Sequence, residues 1–113
     1  MPARSKSTGL PKLTEKAFMA QIKKLALMTG WTWYHPYDSR KSTAGFPDLV
    51  LIRPPRIIFA ELKVETGFLT PKQQEWAFAL RECPGVKYYL WTPKDWDEIE
   101  AALLASNEAT RKD

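Results

Sequence analysis

Two short apolar runs dominate the middle of the chain, Leu49-Val50-Leu51-Ile52 and Ile57-Ile58-Phe59-Ala60, with Pro54-Pro55 between them. Both are rich in β-branched and aromatic residues and lie between Gly or Pro positions, the signature of strands, and the prolines force a break. A hairpin centred on that break pairs Ile52 with Ile57, Val50 with Phe59 and Asp48 with Glu61. Side chains alternate along a strand, so Asp48, Val50, Ile52, Phe59 and Glu61 share one face, with Lys63 two residues further on. Two prolines do not suit the primed two-residue turn, which needs positive φ, so a wider loop is expected, with room for a bulge that shifts the pairing.

On either side the period changes. From Leu13 a helix is predicted, with Thr14 as N-cap, Leu13 and Phe18 at hydrophobic-staple spacing, a core stripe of Phe18, Ile22, Leu25 and Thr29, and Gly30 as the stop. Trp31 to His35 alternates large aromatics with Thr32 and reads as a first strand ended by Pro36. Residues 36–45 are polar and turn-forming and lead straight to the Asp48 strand. Beyond the hairpin, Glu65-Thr66-Gly67 is a turn. Thr70 as N-cap, Pro71 at N1 and Gln73 at the capping-box position then open a helix whose core side is Trp76, Ala77, Leu80 and Cys83, ended by Pro84-Gly85. Val86 to Trp91 is a fourth strand, parallel to the Glu61 strand through a right-handed crossover. Thr92-Pro93 caps a last helix with Trp96, Ile99, Ala102 and Leu103 inward. Residues 1–12 read as a mobile basic arm and 106–113 as a frayed tail, leaving one domain over 13–105. The pattern by itself supports α+β or α/β.

The opposed carboxylates of Asp48 and Glu61 bring in chemistry. Like charges facing each other across a strand pair are destabilising unless positive charge lies between them, and a hard divalent cation with oxygen ligands supplies it. The bland alternative is a pair of strand-end charges facing water. Glu61, however, interrupts an apolar run from Ile57 to Val64, where a charge without a partner is costly. Lys63 adds a cation, and the register gathers all three.

Composition narrows the choice. A chain of 113 residues holds one domain, so catalysis and substrate selection share one surface or are divided between subunits. Seventeen Lys and Arg against thirteen Asp and Glu give a net charge of +4 and a pI near 9.3, a mild excess that suits a polyanionic partner. Cys83 is the only cysteine, which excludes an internal disulfide or a thiolate zinc site and points to a reducing cytoplasm. His35 is the only histidine, so a His-rich metal site is excluded, and no nucleophile signature accompanies it. It reads as structural or substrate-contacting in preference to catalytic. No apolar run reaches membrane-spanning length, and a soluble intracellular protein is expected.

The string Gly45-Phe46-Pro47-Asp48-Leu49, followed by Phe59-Ala60-Glu61-Leu62-Lys63, Gly67, Leu69-Thr70 and Gln73 to Trp76, resembles the VRR-NUC branch of the PD-(D/E)XK nucleases over about residues 13–92. The resemblance implies an α/β, restriction-endonuclease-like αβββαβ core with a mixed four-stranded sheet, here with an additional C-terminal helix. It implies Mg²⁺, with Mn²⁺ able to substitute, held by Asp48, Glu61 and the backbone carbonyl of Leu62, and Lys63 beside the attacking water. A glutamate of the first helix completes the family's metal site, and Glu15 is the only acid available there; as a first-turn acid favouring the helix dipole it also has a purely structural account. Gln73 is assigned to the active site by resemblance and to the capping box by pattern. Arg40, Lys41, Ser42 and Thr43 would be phosphate donors and Tyr37 a stacking ring, with a solvated connector as the alternative. Stand-alone members act as homodimers on branched DNA such as four-way (Holliday) junctions, which suits a bacterial cell or a phage-infected host. A flap or other branched-DNA nuclease, and a catalytically silent nucleic-acid-binding module, are the rival readings.

Overall fold

A computed structural model describes residues 13–36, 43–65 and 67–105. The basic arm, the tail, and Tyr37, Arg40, Lys41 and Ser42 lie outside these residues. Thr14 opens helix α1 (Glu15–Met28), its hydroxyl accepting the Ala17 N–H at 3.0 Å. Phe18, Met19, Ile22 and Ala26 form its buried stripe. At the far end Gly30 takes φ +88, while the Thr29 hydroxyl donates back to the Leu25 carbonyl at 2.7 Å.

Strand β1 is shorter than the sequence suggests, Thr32–Tyr34. Trp31 lies before it, buried, with its indole N–H donating to the Leu103 carbonyl at 2.9 Å. Strands β2 (Leu49–Arg53) and β3 (Arg56–Leu62) are antiparallel in the expected register, with Ile52 opposite Ile57 and Val50 opposite Phe59. The expected wide loop is corrected: Arg53 pairs directly with Arg56, so Pro54 and Pro55 alone make the turn, their peptide bond is cis, and no bulge shifts the pairing. Two-residue proline turns of this kind form a class of their own, separate from the primed turns.

Helix α2 (Pro71–Arg81) crosses over to β4 (Val86–Trp91), which runs parallel to β3. Of the predicted core side of α2, Ala77 is buried, Trp76 and Leu80 are partly so, and Cys83 is exposed beyond the helix end, because the chain turns away after Arg81. A 3₁₀ turn, Pro93–Asp95, precedes α3 (Trp96–Leu104) and carries the Thr92 cap, its N–H donating to Asp95 Oδ2 at 2.8 Å.

The sheet order is β1-β2-β3-β4. One face, with Leu49, Leu51, Ile58, Ala60, Leu62 and Trp91, packs on α1 and on Ile99 and Leu103 of α3, and most of these side chains are completely out of solvent. The other face is covered by α2 through Phe46, whose ring meets Phe59 edge-on at 6.1 Å and Trp76 at 5.0 Å. This is the α/β, αβββαβ arrangement with an added C-terminal helix. No helix among the described residues is long and apolar enough to cross a membrane.

Candidate active site

The carboxylates meet where β2 begins and β3 ends. Asp48 immediately precedes β2, and its Oδ2 accepts the Leu62 N–H at 2.8 Å, which ties the start of one strand to the end of the other. Glu61 faces the same way and is only 2% exposed. Its Oε2 accepts the Gln73 side-chain N–H at 2.7 Å. Its Oε1 is buried without a hydrogen-bond partner. Lys63 is the first residue after β3, its N–H donating to the Trp91 carbonyl at 3.0 Å, so the β3–β4 ladder continues past the end of β3 and fixes the lysine backbone.

The electrostatics follow from this burial. Desolvation, then the Asp48 charge, raise Glu61 to about 8, with Lys63 opposing. Glu15, at the mouth of the site on α1, is also raised, by burial first and then by Asp48, again opposed by Lys63. Tyr88 beneath is raised to about 12, by burial and then by Glu61, and stays neutral. A buried Glu61 carboxyl that resists ionising, with one unpartnered oxygen and Asp48 beside it, makes a donor set suited to a hard cation. Among the described residues no three His, Cys, Asp or Glu side chains converge as a ready-made ligand cluster. The close pair is therefore Asp48 and Glu61, while Glu15 lies within electrostatic reach and lines a groove shared with Asp48.

Gln73 has both of its sequence readings at once. Its Oε1 accepts the Thr70 N–H at 2.9 Å, closing the capping box, while its Nε2 reaches Glu61. His35 sits just past β1 and its Nδ1 lies 2.9 Å from the Asp48 carbonyl oxygen; a carbonyl only accepts, so Nδ1–H is the donor. That backbone contact is its structural role, and the sequence could not specify it. Nor did the sequence reveal why residue 45 is glycine. Its φ is +84, and a Cβ there would come within 2.5 Å of the Lys72 backbone, so the loop before Asp48 presses directly on the first turn of α2. Thr43 is exposed at the start of that loop.

A mixed sheet whose antiparallel hairpin presents Asp48 and Glu61-Leu62-Lys63 at its open end defines a restriction-endonuclease-like nuclease core. The VRR-NUC domain family matches residues 4–93, and the chain belongs to that family. It is therefore a nuclease-type, DNA-processing domain. Neither a curated protein nor a solved structure matches the chain.

Proposed function

We propose that the protein is a metal-dependent, structure-specific DNA endonuclease, resolving four-way junctions as a homodimer. The observation that supports this reading is the buried Glu61 carboxyl beside Asp48, whose Oε1 has no hydrogen-bond partner, a donor chemistry suited to a hard cation. Mg²⁺, with Mn²⁺ as substitute, would be held by Asp48, Glu61, the Leu62 carbonyl and Glu15, and when bound it supplies charge neutralisation at the phosphate and a more acidic attacking water.

The side chains divide the remaining work. Lys63 brings positive charge to the scissile phosphate and its developing negative charge. Gln73 orients Glu61 through its amide, and His35 holds the backbone of Asp48. Arg40, Lys41, Ser42 and Thr43 would hold flanking phosphates, with Tyr37 as a stacking ring. No helix-turn-helix or basic recognition helix occurs among the described elements, which favours recognition of DNA shape over base sequence. Paired incision of a junction needs two active sites, and one chain carries one, which favours a twofold assembly. The edge strand β1, with Tyr34 62% exposed and neighbouring Ile52 40% exposed, offers apolar surface for it.

The test is cleavage of end-labelled four-way junction, flap and linear duplex with Mg²⁺, Mn²⁺ or EDTA, with Lys63→Ala as control. Metal-dependent, Lys63-dependent paired nicks confined to the junction are expected. Cutting of flaps or of all substrates alike removes the junction specificity and leaves the nuclease. Binding without cutting favours a silent DNA-binding module.

A further inference from the structure

On the α1 side of Asp48 the surface opens into a groove of about 440 Å³ whose lining includes Glu15, Lys16, Met19, Lys23, His35 and Asp48. Its acids, Glu15 and Asp48, belong to the candidate active site, and its cations continue along α1. Lys16 and Lys23 are seven residues apart, two turns, and lie on one stripe of the helix about 10 Å apart along the axis. That separation lets the two ammonium groups meet two different phosphates of one strand.

Two further observations set these lysines apart from an ordinary solvated helix face. Lys16 occupies the first turn of α1, where the helix dipole disfavours a cation, while the last turn carries no basic residue at all. Local helix energetics therefore does not account for its position. Lys23 Nζ rests 4.1 Å from the centre of the Trp33 ring on β1, which limits the freedom of its long side chain and fixes its charge beside the groove.

We infer that this groove is a backbone-binding track for one DNA strand leaving the active site, with Lys16 and Lys23 each neutralising a phosphate beyond the scissile one. The inference rests on the nuclease reading of the Asp48–Glu61 site. Lysine ammonium groups act here as point charges that fix register and orientation and read no bases. The track therefore adds affinity independent of sequence, in keeping with selection by DNA shape. Lys24, adjacent in sequence and exposed but absent from the groove lining, serves as the internal control.

The experiment is fluorescence anisotropy of the full chain on labelled junction DNA in EDTA over a salt series. It compares wild type with Lys16→Gln/Lys23→Gln, the charge-keeping Lys16→Arg/Lys23→Arg, and Lys24→Gln, each checked for folding by circular dichroism. The double glutamine variant is expected to lower the slope of log K against log salt by about 1.8, about 0.9 for each lost phosphate contact. The arginine pair is expected to restore the slope, and Lys24→Gln to keep it. A wild-type slope in the double glutamine variant, or an equal loss in Lys24→Gln, overturns the track. Wild-type protein that binds with this lysine dependence but never cuts, with Mg²⁺ or Mn²⁺, overturns the nuclease reading and leaves the track standing. Wild-type protein that binds no DNA overturns both.

Discussion

Glu61 shows at the scale of one residue how the site trades stability for chemistry. A carboxyl raised from 4.5 to about 8 binds its proton more tightly folded than unfolded. The fold therefore keeps its full stability below about pH 4.5 and loses it progressively as pH rises toward 8. Glu15 shifts in the same direction and adds to the loss. In EDTA, Tm is expected to fall by several degrees between pH 5 and pH 8, since each kcal/mol moves Tm by about 4–8 °C in a domain of this size. Glu61→Gln should flatten most of that fall, and Mg²⁺ should raise the wild-type Tm more at pH 8 than at pH 5 while leaving the variant nearly unmoved. Scanning calorimetry across pH checks both, and a wild-type Tm that rises with pH in EDTA would refute the account. Glu61 was legible in the sequence because an acid inside an apolar strand is an anomaly. The bond from His35 to the Asp48 carbonyl was not, since a side-chain-to-backbone contact across thirteen positions leaves no periodic trace.

At the scale of elements, the hairpin and helix α2 act as one device. The hairpin register was legible because alternation and the position of the break determine it. The turn itself was misjudged, because the primed-turn rule does not cover two consecutive prolines. Helix α2 was legible from Thr70, Pro71 and Gln73, yet its link to the site depends on which face of the sheet it covers, a tertiary fact. Through Gln73 the same amide caps the helix and holds Glu61, so the two roles can be separated by substitution. Gln73→Glu keeps the capping acceptor but sets a second acid against Glu61, and cleavage is expected to fall about 10–100-fold with a modest change in stability. Thr70→Ala removes the cap, and is expected to cost about 1 kcal/mol in urea denaturation with a smaller loss of rate. Equal rate losses in the two variants would mean that Gln73 acts only through the helix.

At the scale of the whole molecule, α1 and α3 clamp one sheet face and α2 the other, so the site lies at an open edge where all three layers end. Periodicity gave the helices and part of their inward faces, Phe18, Ile22, Ala77, Ile99 and Leu103 among them, but it missed Met19 and Ala26. It did not give the clasp at the opposite end of the hairpin. There Arg53 donates to the carbonyls of Thr29, at 2.9 Å, and of Leu103 and Ala105, Arg56 donates to Ala105 at 3.1 Å, and both guanidinium groups lie 4.9 Å from the centre of the Trp31 ring. Ile99→Ala should cost about 2–5 kcal/mol in urea denaturation while leaving the cleavage rate per folded molecule unchanged, because the side chain is wholly buried in the core on the sheet face opposite the carboxylates.

The clasp also bears on how such a module could be transplanted. The family likeness ends at residue 93, but apart from Thr29 the carbonyls that Trp31, Arg53 and Arg56 grip belong to Leu103 and Ala105. A graft cut at the border of the likeness would carry the candidate site's side chains, yet it would lose the cover that α3 gives the sheet, and of the carbonyls its arginines grip it would keep only that of Thr29. The stretch that the family shares and the stretch that packs around this sheet differ by residues 94–105, so a host for this module would have to bring a helix of its own in place of α3.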